Sequence, residues 1–294
     1  GILAARDRLA ILGTQLPGHI NSLSSPLLDK IKSLLDAPPG SKSSVFVYSL
    51  VLLMNRLAAP WQLVRLAIKA AGGDDAGRIA ETPYAVAVNI VLDEIDRRVR
   101  ELAGDLKSGR GIAVSALLKE IHDALRGLRS ELDLPMESAW GKQVVAVRAE
   151  MSKLLTGEIE LMSGRVRRLM RPRPSKEIGP GSRLDPDEVA ETESLIGFVV
   201  TCRNYAGELA INEITQRVFS ELQKSLDTGT HTLLEALRHS SPGERAFRQS
   251  QIDAAVRFCA KVFGDEYASL LTKAAGVASQ SERKAAVAAA AARA

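Results

Sequence analysis

Residues 164–187 read GRVRRLMRPRPSKEIGPGSRLDPD, and the reading of this stretch decides how the rest of the chain is divided. Pro172, Pro174, Pro180 and Pro186 each fix φ and lack a backbone donor, so they cannot all lie inside one regular helix. The chain is therefore expected to bend or unravel here. On both sides lie long runs with helical periodicity. The expected architecture is all-α: a multi-helix bundle or elongated helical rod whose two helical halves are joined by a Pro/Arg-rich hinge. The expected division is 1–163, hinge 164–187, 188–276, and an Ala-rich tail 277–294.

Upstream, short helices are predicted over 2–12 and 26–35, the second ended by Asp36-Ala-Pro-Pro-Gly40. Val45 to Met54 is apolar on all sides and is introduced by Ser43 and Ser44 as candidate caps. A spanning helix needs roughly 20 such residues, and Asn55 and Arg56 interrupt this run, so it predicts a fully buried core helix. Ala59-Pro60 opens a helix that closes at Gly72-Gly73. Thr82-Pro83 reads as a cap followed by a proline at the first helical position. Beyond it Leu92, Ile95, Val99, Leu102 and Leu106 recur at steps of three and four, the spacing of a seam for a partner helix. On the other face Asp93 with Arg97, Glu94 with Arg98 and Asp96 with Arg100 are spaced for i,i+4 pairing. After a break at 108–111, Leu117, Leu118, Ile121, Leu125 and Leu128 mark the next helix. Another runs from about Glu137 through Leu155, as far as Met162.

Downstream, Asp185-Pro186 repeats the signal of cap then proline. It opens what reads as one long helix to about Leu226, weakened at Gly197 and Gly207. A shorter helix over 230–238, a loop at 239–244 and a last core helix through Ile252, Val256, Cys259, Phe263, Leu270 and Ala274 follow. Glu94-Ile95, Arg98-Val99 and Glu101-Leu102 are echoed by Glu213-Ile214, Arg217-Val218 and Glu221-Leu222. If this is a duplication, two similar bundles lie in tandem.

Composition narrows the functional classes. Of 294 residues, 46% are apolar and 25% charged, the balance of a globular chain long enough for a large core. Aromatics make up only 4%, so Leu, Val, Ile and Ala must fill that core, which suits helix-on-helix packing rather than a sandwich or barrel. The net charge of +4, from 39 bases and 35 acids, is too small to argue for nucleic acid by itself. Two cysteines, Cys202 and Cys259, have no partner at metal spacing and read as small core residues of a cytoplasmic protein. No secretory leader is recognisable at the first residues.

The search for chemistry returns few candidates. His19, His122, His231 and His239 lack the spacing of di-iron or zinc helices, and no phosphate-binding glycine loop or nucleophile elbow occurs. Asp93, Glu94 and Asp96 are answered by neighbouring arginines and have no second acidic motif to share a metal with. No cofactor, metal or small-molecule substrate is therefore expected, and the chain reads as a non-catalytic interaction or scaffold module whose partner is another protein or a second copy. The alternative rests on the hinge. Arg165, Arg167, Arg168, Arg171, Arg173 and Lys176 place six bases in twelve residues beside Leu169 and Met170. They are candidate anion-binding residues for acidic lipid or nucleic acid.

Overall fold

The computed structural model describes residues 2–38, 40, 44–107 and 111–291, with side chains at 6–7, 9–38, 40, 44–107 and 114–279. The expected cap at Ser43, the break at 108–110 and residues 292–294 of the tail lie outside the described residues. The chain is all-α, with no strand among the described residues. In order the helices are α1 (Ile2–Gln15), α2 (Ser25–Asp36), α3 (Ser44–Met54), α4 (Val64–Ala71), α5 (Ala76–Ala80), α6 (Ala85–Lys107), α7 (Gly111–Glu131), α8 (Ala139–Met170), α9 (Pro186–Asn204), α10 (Asn212–Arg238), α11 (Arg245–Phe263) and α12 (Asp265–Ala291). Two compact units result, Gly1–Met151 and Ser152–Ala294. The boundary falls inside α8, and residues 164–187 lie within the second unit.

In the first unit α6 packs on α7, α4 and α3 through the seam read from the sequence. Leu92, Ile95, Val99 and Leu102 are buried, as are Leu117, Leu118, Ile121, Leu125 and Leu128 of α7. Gly127 lets α7 approach Trp61 so closely that a Cβ there would clash with the indole ring. Pro60–Leu63 form a 3₁₀ turn that leads into α4, and Gly72, at φ 69°, ends α4 in the left-handed conformation that suits glycine.

Three expectations change in this unit. Helix α6 starts at Ala85 because Thr82 bonds back to the Ile79 carbonyl (2.8 Å) instead of capping forward. Helix α3 is covered on one side only. Phe46, Leu50, Leu53 and Met54 are buried, whereas Val47 and Tyr48 are exposed, Tyr48 by 62%. Of the three expected ion pairs on α6, only Glu94 with Arg98 forms (2.9 Å). Arg97 reaches back to Glu94 (2.7 Å) and forward to Glu101 (3.1 Å), and Asp96 instead accepts from Gln143 (3.4 Å).

In the second unit α11 packs on α9, α10 and α12. The expected helix to Leu226 is broken at 205–211, where Ala210 adopts φ 56° and the buried Leu209 and Ile211 turn inward; α10 then runs unbroken to Arg238. The last core helix is likewise two. Gly264, at φ 93°, separates α11 from α12, and Leu270 is on the surface rather than in the core. Asp185 does cap α9, accepting from the Asp187 amide (3.0 Å) with Pro186 at the first position. Both cysteines are buried.

Candidate functional site

The basic stretch splits into a helical and a strapped part. Val166, Leu169 and Met170 continue the buried series Leu155, Ile159 and Met162, so the apolar periodicity carries α8 through Gly164 to Met170. Only at Pro172 does the helix have to end. Residues 171–185 then run across α11, which supplies the partners that this irregular backbone lacks. Gln251 Nε2 donates to the carbonyls of Leu169 (3.1 Å) and Arg171 (2.9 Å). Arg248 donates from one Nη to the Arg173 carbonyl (2.6 Å) and lies 3.5 Å from Glu244. Ser250 accepts from the Leu184 amide (3.0 Å). The segment is a strap held by four residues of one helix, with Arg173 over the Phe247 ring at 5.0 Å as the fourth contact.

Electrostatics at the strap are local. Hydrogen bonds from Ser241, Ser175 and Arg248 hold the Glu244 carboxyl below its ordinary value. Arg248 and Gln251 are both buried, and Arg248 Nε and one Nη have no hydrogen-bond partner among the described residues. Elsewhere the displaced protonation states belong to packing. Burial raises the Cys202 thiol and pushes the Cys259 thiol up to about 12, with Asp227 adding to the second. Thiols held protonated in this way are inert at neutral pH. His122 shares a 3.0 Å contact with its neighbour Asp123. No group of three or more His, Cys, Asp or Glu side chains able to hold a metal occurs among the described residues. No described helix is long and apolar enough to cross a membrane.

The six bases of 165–176 do not act as one cluster. Arg165 pairs with Glu191 (3.0 Å) and Arg168 with Glu188, both on α9. Arg173 is stacked on Phe247, and Lys176 is exposed in the 3₁₀ turn Ser175–Glu177. Among the described residues Arg167 bonds only to the Ser163 carbonyl (3.2 Å), and Arg171 remains exposed. These two line an open depression of about 330 Å³ together with Lys224, Ser225 and Thr228 of α10. Met170 and Gly229 complete the lining, and a Cβ at Gly229 would stand 3.0 Å from Met170 Cε. Lys224, Ser225 and Thr228 were not among the sequence candidates. Nothing near them in the chain marks them, because their role comes from the approach of α8 to α10.

A second surface lies on α12. Ala268, Leu271, Ala275 and Ala278 face inward and are buried. One residue earlier at each step, Tyr267, Leu270, Ala274 and Val277 form a parallel series at spacings of three, four and three. Leu270 and Val277 are both 64% exposed. Tyr267 leans on Phe263 at the start of the stripe, ring centroids 4.6 Å apart. Glu266 and Lys273 flank it on the solvent side, and neither has an ion-pair partner among the described residues.

Comparisons of the chain with protein-family models, with curated proteins and with solved structures give no match. The functional reading therefore rests on these two surfaces.

Proposed function

We propose that the protein is a non-catalytic helical interaction module that pairs with a second copy of itself through the exposed stripe of α12. The observation that carries this reading is the exposure of Leu270 and Val277, 64% each, at heptad spacing on a helix whose inward seam is already covered. A leucine or valine left in water forgoes roughly 1.5–3 kcal/mol relative to full burial, so a partner that covers the stripe gains from each of them. Steps of three, four and three are those of a coiled-coil seam.

The stripe can complement itself, as a two-fold interface requires: antiparallel copies in register set Leu270 of each chain beside Ala274 of the other and Tyr267 beside Val277. Sedimentation equilibrium of the full chain tests this. A concentration-dependent dimer is expected, with Leu270→Asp and Val277→Asp together giving a monomer of unchanged helicity. A monomer at every concentration for the unsubstituted chain would end the proposal.

A further inference from the structure

From the geometry of the second unit we infer that it carries a binding notch for a phosphate group, formed by Arg167 and Arg171 of α8 and its strap with Lys224, Ser225 and Thr228 of α10. This site is separate from the α12 stripe and does not depend on it.

Three observations converge. The first is charge. Most other arginines of the unit are engaged: Arg165, Arg168, Arg217 and Arg257 pair with Glu191, Glu188, Glu160 and Glu193, and Arg203 stacks over Phe219 at 4.3 Å. Arg167, Arg171 and Lys224 have no ion-pair partner among the described residues, yet they line one depression. Of the acids of α10 on either side of Lys224, one is engaged. Glu221 accepts from Ser163 (3.5 Å) and lies 3.9 Å from Arg217, whereas Asp227 is exposed.

The second observation is hydroxyl availability. Thr215, Thr230 and Thr232 turn their hydroxyls back onto carbonyls of α10 or its lead-in (2.7, 2.9 and 3.0 Å). Helical serines and threonines ordinarily do this. Ser225 and Thr228, like Ser220, have no hydroxyl partner among the described residues, and of these three Ser225 and Thr228 line the notch. They can donate to a ligand.

The third is shape. At about 330 Å³ the depression lies at the small end of the range for ligand sites, roughly 300–1,000 Å³, and it is open to solvent. It suits a phosphate carried on a larger body. Two guanidinium forks match phosphate oxygens in pairs, and the lysine adds a compact charge. Of the two flanking acids, Glu221 is engaged by Ser163 and Arg217. The same chemistry fits a phosphomonoester lipid headgroup or a soluble phosphate compound.

The test uses the full chain with inorganic phosphate as probe, followed by amide and arginine side-chain NMR at constant ionic strength. Saturable shifts are expected at Ser225, Thr228, Gly229 and the Nε groups of Arg167 and Arg171. Joint Arg167→Gln, Arg171→Gln and Lys224→Gln should weaken binding about tenfold or more, and Lys224→Gln alone by about threefold or more. The ion-paired control, Arg165→Gln with Arg168→Gln, should leave it within about twofold. Vesicles of phosphatidylcholine with and without phosphatidic acid separate the sources. Retention on the acidic vesicles that the triple change removes identifies a lipid headgroup, and phosphate binding without retention identifies a soluble compound. Both support the notch. Shifts that chloride reproduces, shifts absent from these residues, or equal weakening by the triple change and the control would overturn it.

Discussion

Helices α6 and α12 both repeat apolar residues at coiled-coil spacing, but they differ in what occupies the face beside the seam. On α6 the seam Leu92, Ile95, Val99 and Leu102 is buried, and the remaining face carries Glu94, Arg97, Arg98 and Glu101 in a network of mutual ion pairs. Neighbouring charges answer one another across that face. On α12 a second apolar series stands beside the buried one, with Glu266 and Lys273 at its edge unpaired within the described residues. A single periodic seam builds a bundle; a second one at an angle to it leaves a surface for another chain.

This contrast can be broken or sharpened by substitution. The largest effect is expected at the covered seam of α6. Leu102→Ala, at a fully buried position, should cost about 2–5 kcal/mol in denaturant unfolding. Leu271→Ala on the inward face of α12 belongs at the lower end of that range, because Leu271 retains 6% exposure. Next comes the strap. Gln251→Ala removes the hydrogen bonds to the Leu169 and Arg171 carbonyls and should cost about 1–3 kcal/mol, with faster amide hydrogen exchange over 171–184. An unchanged exchange pattern would mean that the strap does not depend on α11.

Smaller effects follow for charges. Hydrogen bonding to Arg97, ahead of the charges of Arg97 and Arg98, holds the Glu94 carboxyl below its ordinary value. The unfolded glutamate titrates near about 4.3, so on acidification the unfolded chain takes up the proton first. The stabilisation is complete above that value and is lost as pH falls through the lowered folded value. For so exposed a network it should amount to about 1 kcal/mol or less, read from thermal melts between pH 6 and 3, and Glu94→Gln should flatten that dependence. The smallest effect is expected one residue before Leu271. Leu270→Ala should change the stability of the isolated chain by no more than about 0.5 kcal/mol, since its side chain contributes little to the chain's own core.

Features set by neighbours in the chain were legible from residues alone. The α6 and α7 seams, the Asp185-Pro186 start and the Gly72 stop all depend on residues within a turn or two. Features set by distant residues were not. Arg248 and Gln251 restrain carbonyls about eighty residues away, so nothing near 171–177 distinguishes a strap from a free hinge. The break at 205–211 depends on a left-handed alanine, a residue type that does not advertise that conformation. Leu270 fits the periodicity of a core residue, and only the position of α10 and α11 decides that Leu271 is the one covered. Of the six bases read as candidates, Arg167 and Arg171 line the notch, while Arg165 and Arg168 meet acids on α9 that lie more than a helical turn beyond any local pairing rule.

Self-pairing through α12 is tested most directly by sedimentation equilibrium of the full chain beside the Leu270→Asp, Val277→Asp variant. A reversible dimer that the two substitutions convert to a folded monomer is the predicted result. A chain that stays monomeric, or a dimer that persists in the variant, would contradict it.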